Sequence, residues 1–311
     1  MGHQAGTVNS ALHPRLKLLE SQLSVPTLTP IFDDKLTAQR LELWIKRDDL
    51  LHPVISGNKW RKLKFILNHA LYSGADSIVS MGGAYSNHLH ALAFAGKCLG
   101  LKTIAYVRGE QPQKFNPTLI DLQNWGMELR FVTRSDYRQL RAFKHHDSLP
   151  DLKPGQYWLA EGGASNLALQ GVAEILAEIE RPFDVLVTAC GTGTTLAGLI
   201  AAAPAHLQVV GIAALKNAGY LSDEVNRLLP NNSSLAGWQI LLNYHFGGFA
   251  KTTPALEQFI RYFSAEHGVP LEPIYTGKML FAVFDLLNKG FFMPGQRIVV
   301  LHTGGLQGVR H

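Results

Sequence analysis

Short apolar runs rich in β-branched residues alternate with glycine-rich turns and helical patterns along this chain, and this alternation constrains the fold more than any other feature. In the clearest unit, the strand-like run 75–81 (ADSIVSM) leads into the turn 82–88 (GGAYSNH) and then into a helical apolar pattern over 89–100. Strands and helices that alternate in this way build mostly parallel sheets covered by helices. We therefore predict an α/β fold.

The strand-like runs fall into two groups, of which the first predicts a small open α/β domain in the middle of the chain. In chain order they are 75–81, 101–107, 124–132, 183–190, 207–215 and 296–305. Several end in glycine turns, and the carboxyl ends of parallel strands are where such sheets bind ligands. The polar, proline-containing segment 144–156 predicts an irregular connection near a domain boundary.

Composition excludes several classes of protein. The chain has 311 residues, 46% of them hydrophobic and 17% charged, which is typical of a globular protein of one or two domains. It has no apolar run long enough to span a membrane, and residues 1–20 lack the apolar core of a signal peptide, so we expect a cytoplasmic protein without membrane partners. Cys98 and Cys190 are expected to be small buried residues rather than disulfide or zinc ligands.

The net charge of +5 comes from basic residues that are spread along the chain. This distribution argues against nucleic-acid binding and agrees with a small anionic ligand. The histidines form no HExxH pattern and have no carboxylate at ligand spacing, so we predict no metal site.

The turn GTGTT at 191–195 has the composition of an anion-binding loop. Glycines before a helix allow several backbone N–H groups to point at one place, where the helix dipole also favours an anion. The turn is neither a Walker loop nor GxGxxG, which argues against nucleotide hydrolysis and dinucleotide binding. The residues alone leave a phosphate site and an ordinary tight turn equally open.

Two further candidates are ambiguous from the residues alone. Ser86 lacks the flanking glycines of G-x-S-x-G, so a helix cap fits it better than the nucleophile of a hydrolase. Lys59 lies in SGNKWRKL at 56–63, where it is either one of several solvated helix cations or a reactive amine with a lowered pKa.

Six motifs in a fixed order carry a resemblance to a known family. They are SGNKWRKLKF (56–65), GGAYSNH (82–88), EGGASN (161–166), CGTGTTLAGL (190–199), EPIYTGK (272–278) and HTGG (302–305). Together they resemble the pyridoxal-phosphate enzymes grouped as 1-aminocyclopropane-1-carboxylate deaminase and D-cysteine desulfhydrase, in the tryptophan synthase β-like, fold type II superfamily. The resemblance extends from about residue 15 to residue 308.

This resemblance implies two open, twisted, mostly parallel sheets with flanking helices and with pyridoxal 5′-phosphate bound between them. A large cofactor-binding domain would comprise residues 1–63 and 173–311, and residues 64–172 would form a smaller inserted α/β domain. The family also suggests a homodimer and a small amino-acid substrate.

The resemblance implies roles for individual residues. Lys59 would bind the cofactor covalently and move the α-proton of the substrate, Tyr275 would exchange a proton near the substrate amine or leaving group, and Ser86 would assist at the substrate. Contacts to the cofactor's phosphate are implied for Lys62, Gly191, Thr192, Gly193, Thr194 and Thr195. Asn87 would contact the ring hydroxyl, and Thr303 the ring nitrogen. Substrate contacts are implied for Tyr85, Ser86, Asn87, His88, Phe249, Tyr275 and Thr276. Arg61 and Lys64 are expected to be surface cations.

Thr276 and Thr303 favour the desulfhydrase branch, because the deaminase type has Glu directly after the tyrosine and Leu before the final Gly-Gly. The favoured reaction is elimination from D-cysteine or a β-substituted D-amino acid to pyruvate, ammonia and sulfide, and we expect an enzyme of the lyase or hydrolase class. Phe249 stands in place of a second family tyrosine, and Tyr85 in place of a glutamine, so the pocket lining differs from that of both named enzymes.

Three alternatives stay open: a 1-aminocyclopropane-1-carboxylate deaminase that forms 2-oxobutyrate and ammonia, a cofactor-binding protein without turnover, and a serine hydrolase that uses Ser86.

Overall fold

The structure is a computed structural model that describes residues 11–230 and 236–309, and its larger sheet has six strands. These are β1 (Leu28–Ile31), β2 (Glu42–Lys46), β7 (Val185–Cys190), β8 (Gln208–Ala213), β9 (Gly237–Leu241) and β10 (Arg297–Leu301). Their order is β1-β2-β10-β7-β8-β9, and only the β1–β2 pair is antiparallel.

The smaller sheet has four strands, all parallel, in the order β5-β4-β3-β6. They are β3 (Ser77–Gly83), β4 (Lys102–Arg108), β5 (Met127–Val132) and β6 (Gln156–Leu159). The prediction of an α/β fold with two mostly parallel sheets is confirmed, and each predicted strand-like run overlaps an observed strand.

Eleven α-helices surround the sheets in the described part of the chain. They are α1 (Pro14–Glu20), α2 (Asp34–Ala38), α3 (Asn58–Tyr72), α4 (Asn87–Leu99), α5 (Pro117–Asn124), α6 (Arg134–Leu140), α7 (Asn166–Ala177), α8 (Thr194–Ala202), α9 (Leu221–Leu228), α10 (Pro254–His267) and α11 (Thr276–Asn288). None of the helices described is both long and apolar enough to cross a membrane.

Each sheet is covered on both faces by apolar side chains. One face of the large sheet packs against α10 and α11, and the other packs against α7, α8 and α9. The small sheet has α4 and α5 on one face and Tyr137 of α6 on the other. Because strands such as β7 are buried along their whole length, they appear in the sequence as continuous apolar runs.

Helices α3 and α8 both pack against α7, and this packing fixes the first turn of α3 relative to the first turn of α8. Gly171 makes the close approach of α7 to α3 possible, because a Cβ atom there would lie 1.9 Å from the backbone oxygen of Arg61. The start of α3, which carries Lys59, is thereby held beside the start of α8, which follows the GTGTT turn.

Two expectations need correction. Cys190 is buried as predicted, but Cys98 is exposed, since it lies on the solvent side of α4. Segment 144–156 is irregular as predicted, yet it joins α6 to β6 and so lies within the four-stranded unit rather than between the sheets. The predicted domain boundaries after residues 63 and 172 fall inside α3 and α7 and stay a prediction.

Candidate active site

A cavity of about 460 Å³ lies at the carboxyl ends of strands from both sheets. Its walls include residues that follow β3, β7 and β10, which is the edge where parallel α/β sheets bind ligands. The volume falls within the range of small-molecule sites.

All but two of the residues predicted for the site line this cavity. Those that do are Lys59, Lys62, Tyr85, Ser86, Asn87, His88, Gly191, Thr192, Gly193, Thr195, Phe249, Tyr275 and Thr303. The exceptions, Thr194 and Thr276, are fully buried behind the wall. The hydroxyl of Thr194 lies 3.2 Å from that of Thr192, so its side chain pairs within the turn.

Lys59 is positioned by a glycine that no other residue could replace without rearrangement. Gly57 precedes α3 with φ +59°, and a Cβ atom there would lie 2.0 Å from the backbone oxygen of Thr303. The Lys59 Nζ donates a hydrogen bond to Asn58 Oδ1 at 2.9 Å, and Asn58 Nδ2 donates to Thr195 Oγ1 at 3.0 Å. Asn58 thus connects the lysine to the glycine-rich turn.

Two amines one helical turn apart face the cavity with lowered pKa values. Burial lowers the pKa of Lys59 to about 8, while the negative charge of Glu272 partly opposes this effect. Burial, and then the nearby charge of Lys59, hold the pKa of Lys62 well below its usual range, and no carboxylate of the described residues raises it. An amine buried in this way is stabilised by an anionic ligand group.

The helix α4 begins at the GGAYSNH turn, where Ser86 is its N-cap. The Ser86 hydroxyl accepts the N–H of Leu89 at 3.2 Å, so the predicted capping role is confirmed. Asn87 Oδ1 accepts a hydrogen bond from Gln307 Nε2 at 2.6 Å. Since this contact occupies the amide oxygen, the Asn87 Nδ2 group remains as a donor at the cavity wall.

The surroundings of His88 favour its neutral form and one tautomer of its ring. Burial, followed by the charges of Lys62 and Lys59, lowers its pKa to about 3. The Ser80 hydroxyl donates to the Leu159 backbone oxygen at 2.8 Å, so at 3.0 Å it accepts the proton of His88 Nε2. His88 Nδ1 is then a buried acceptor with no protein partner in the described part of the chain.

A buried carboxylate lies at the start of α11. Glu272 is 1% exposed, and its oxygens accept the backbone N–H groups of Ile274 at 2.6 Å and Tyr275 at 2.8 Å. Burial raises the pKa of Glu272, and burial together with Glu272 raises that of Tyr275. The Thr276 hydroxyl donates to Glu272 Oε1 at 3.1 Å and therefore does not face the cavity, contrary to the predicted substrate contact.

The prediction that Arg61 and Lys64 are surface cations is wrong. Arg61 is 3% exposed and contacts Asp48 at 3.0 Å and Glu178 at 2.6 Å. Lys64 is also buried and pairs with Glu174 at 2.6 Å. The cause is the packing of α7 on α3, which covers this face of α3; Glu174 lies on α7 and Glu178 directly follows it.

Several site residues were missed by sequence reasoning. Asn58, Glu161 and Glu272 belong to the six family motifs, so motif membership could have indicated them. Gln307 and the other charged residues at the mouth gave no signal, because they come from separate elements outside these motifs. The charged side chains at the mouth are Arg108, Arg141, Lys144, Glu161, Glu224 and Arg227.

The donor set fits a cofactor that carries an aldehyde, a phosphate and a ring hydroxyl. Lys59 offers an amine, Lys62 and the first turn of α8 offer donors for a phosphate, and Asn87 offers an amide N–H. The buried acceptor His88 Nδ1, and the buried amine of Lys62, whose pKa no carboxylate of the described residues raises, are polar groups that a bound ligand would satisfy.

Residues 25–304 match the profile of a family described as "Pyridoxal-phosphate dependent enzyme". The chain belongs to this family. Among curated relatives of this pyridoxal-phosphate dependent enzyme, a "Putative 1-aminocyclopropane-1-carboxylate deaminase" of Pyrococcus horikoshii is 33% identical and covers 97% of this chain and 94% of its own length. The mitochondrial "Bifunctional D-cysteine desulfhydrase/1-aminocyclopropane-1-carboxylate deaminase" of Arabidopsis thaliana is 30% identical and covers 86% of this chain and 73% of its own length.

A solved structure titled as an "ACC deaminase homologue" is similar to this pyridoxal-phosphate dependent enzyme with a TM-score of 0.75. It is 28% identical and covers 96% of this chain and 97% of the solved chain. The predicted family, the fold type II architecture and the pyridoxal-phosphate cofactor are confirmed. The expected hydrolase class is wrong, since the relatives are deaminases and desulfhydrases.

Proposed function

We propose that this enzyme eliminates the β-substituent of a small amino acid, with D-cysteine or a β-substituted D-amino acid as the favoured substrate. The products would be pyruvate, ammonia and, from D-cysteine, sulfide. The observation that carries this proposal is Thr303, a cavity-lining residue that offers a neutral hydroxyl where the resemblance places the cofactor's ring nitrogen. A neutral partner leaves that nitrogen less protonated, which suffices for a thiolate leaving group and is less helpful for opening a cyclopropane ring.

Lys59 is the residue that would hold the cofactor covalently, supported by its lowered pKa and its contact with Asn58. Lys62 and the backbone of residues 191–195 would bind the phosphate, and Asn87 would donate to the ring hydroxyl. When bound, pyridoxal phosphate supplies the electron sink for the charge that develops as the α-proton leaves. Lys59 would carry this proton once the substrate amine has replaced it.

The start of α4 would bind the substrate carboxylate, because its first-turn N–H groups and the dipole of the helix favour an anion. The Ser86 hydroxyl already accepts the N–H of Leu89, so it would contribute its own O–H as a donor. His88 would contribute no positive charge, since it is neutral. Tyr85 and Phe249, which are 62% and 47% exposed, would lie at the substrate's side chain near the mouth.

Tyr275 would exchange a proton at the substrate amine or the leaving group. Its position in the cavity wall, with Gly191 beside its ring, supports this role. The raised pKa of the phenol keeps it protonated near neutral pH, so it would first act as a proton donor.

Deamination of 1-aminocyclopropane-1-carboxylate is the second candidate, favoured by the names of the Pyrococcus and Arabidopsis relatives. D-cysteine, L-cysteine and 1-aminocyclopropane-1-carboxylate, each assayed for pyruvate and 2-oxobutyrate, decide between the two. Pyruvate from D-cysteine supports the elimination, and 2-oxobutyrate alone supports the deaminase. No product from any of them, with the visible band of the bound cofactor intact, would favour a cofactor-binding protein without turnover.

A cytoplasmic location, a homodimer and the division into domains at residues 64 and 173 are further parts of this proposal, and the family resemblance supports the homodimer and the division into domains. Analytical ultracentrifugation of the holoenzyme tests the homodimer directly.

A further inference from the structure

A buried lysine outside the cavity wall joins its own helix, α11, to two other segments of backbone, residue 214 and the loop 245–248, so that three segments meet. Lys278 on α11 is 0% exposed, and its Nζ donates hydrogen bonds to the backbone oxygens of Gly248 at 2.8 Å, His245 at 2.9 Å and Ala214 at 3.3 Å. An ammonium group has three protons, so these carbonyl groups use its whole donor capacity. Burial lowers the pKa of Lys278 to about 8, and Glu272 partly opposes this shift.

Each of the three segments contributes a neighbour to the cavity wall. Ala214 precedes Leu215 and Gly248 precedes Phe249, and both Leu215 and Phe249 line the cavity. Lys278 lies one helical turn after Tyr275, which lines the same wall and has its ring 6.3 Å from that of Phe249. One positive charge therefore joins the backbone behind three wall residues.

The loop that carries Phe249 needs such an anchor. Its backbone has positive φ at Phe246 (51°), Gly247 (94°), Gly248 (120°) and Ala250 (54°). Two of these residues are not glycine, so the conformation is costly unless contacts elsewhere hold it. The carbonyl groups of His245 and Gly248, which point at Lys278, supply contacts of this kind.

Three carbonyl oxygens that converge on one buried cation form the kind of cage that also binds a free monovalent ion. We propose that Lys278 is a tethered monovalent cation that positions the Leu215–Phe249–Tyr275 wall of the active site. Its removal would leave a cavity lined by carbonyl oxygens that takes up ammonium or potassium. Lys278 does not line the cavity, so it is a positioning residue. The role goes beyond the proposed reaction, since it does not depend on which amino acid is the substrate.

The test compares Lys278→Ala with the unmodified holoenzyme at one ionic strength, in tetramethylammonium, potassium or ammonium chloride. Tetramethylammonium is too large to enter the space left by the side chain. In that salt we expect Lys278→Ala to keep the visible band of the cofactor. When D-cysteine is added, the concentration that produces half of the change in this band should be about tenfold higher, or more, than for the unmodified enzyme. Ammonium or potassium should bring this half-saturating concentration back towards that of the unmodified enzyme. Either ion should also raise the melting temperature of the apo variant, a readout that does not require turnover.

Two further variants control the experiment. Lys278→Met keeps most of the length of the side chain and fills most of the space without a charge, so its binding of the amino acid should be weakened and insensitive to the salt. Lys289→Ala removes an exposed lysine that pairs with Asp285 at the end of the same helix, and it should behave as the unmodified enzyme in every salt.

The proposal is overturned if Lys278→Ala binds the amino acid normally in tetramethylammonium, or if its defect is the same in all three salts. If Lys278→Ala does not fold, Lys278→Met decides: weakened amino-acid binding with an intact cofactor band supports the role, and normal binding overturns it. Failure of the proposed reaction would instead appear as unmodified enzyme that forms no product, whatever the salt.

Discussion

Asn58 Nδ2 donates a hydrogen bond to Thr195 Oγ1 at 3.0 Å, across a separation of 137 residues. This bond joins the first turn of α3 to the first turn of α8, and the same Asn58 side chain accepts a hydrogen bond from Lys59. The amine proposed to hold the cofactor and the turn proposed to hold its phosphate are thereby fixed relative to each other.

Asn58→Ala should weaken cofactor binding about tenfold, because loss of a hydrogen bond to a charged group costs about 1.5 kcal/mol. Titration of the apo protein with pyridoxal phosphate, followed by visible absorbance, measures the dissociation constant. Asn68→Ala is the matched control, since Asn68 is a buried asparagine of the same helix whose partners lie in the N-terminal segment. Equal dissociation constants for the two variants would contradict the role given to Asn58.

Arg61→Met should lower the free energy of unfolding by about 3 kcal/mol, because it leaves the buried carboxylate of Asp48 without its main partner. Arg130→Met removes an exposed pair with Glu128 and should cost at most about 1 kcal/mol. Urea unfolding of the apo variants provides the comparison. A similar decrease in the free energy of unfolding for both variants would mean that the ion pairs of Arg61 stabilise the protein no more than a surface ion pair does.

The rate at which apo protein captures pyridoxal phosphate should rise with pH, reach half of its maximum near pH 8 and level off one to two pH units above that. Only the neutral amine of Lys59 reacts, and burial lowers its pKa to about 8, so half of the amine is neutral at that pH. Free N-acetyl-lysine, with a pKa of about 10.4, should show a rate that continues to rise. Glu272→Gln removes the charge that opposes the shift, so the midpoint of its profile should move to lower pH. Identical profiles for protein and free lysine would refute a lowered pKa.

Tyr275→Phe should lower kcat by about a hundredfold or more, since loss of an acid–base group typically costs 10²–10⁴ in rate. The cofactor band should persist, because the ring that packs beside Gly191 and Phe249 remains. Tyr244→Phe loses a hydroxyl bound to Asp285 outside the cavity and should keep its rate. A kcat for Tyr275→Phe within threefold of the unmodified enzyme would exclude a proton-transfer role.

The fold was predictable where local chemistry and tertiary structure agree. Strands β3, β4, β7, β8 and β10 are β-branched and buried, and all but β8 end in glycine or are followed by a glycine turn, so each produces a strong pattern. Strands β1, β2, β6 and β9 were missed. Three of these, β1, β6 and β9, lie at sheet edges, and β1 has only four residues and contains Pro30, while β2 lies inside the large sheet but has only five residues and no glycine turn after it.

The cavity-lining residues were predictable where a motif places them in one turn, as in residues 191–195. Sequence reasoning failed where the answer depends on which helices meet. Arg61 and Lys64 have the pattern of solvated cations, and only the packing of α7 shows that they are buried ion pairs. The predicted substrate contact of Thr276 differs from the structure for a similar reason, since its hydroxyl is bound by Glu272 away from the cavity.

The central claim is that Lys59 is the residue that binds pyridoxal phosphate covalently. Borohydride reduction of the holoenzyme, followed by digestion and mass spectrometry, locates the pyridoxyl group on one lysine. The account predicts modification of Lys59, loss of the modification in Lys59→Ala, and unmodified Lys62 and Lys278. A pyridoxyl group on Lys62 or Lys278 of the unmodified chain, or none on any lysine, would contradict it.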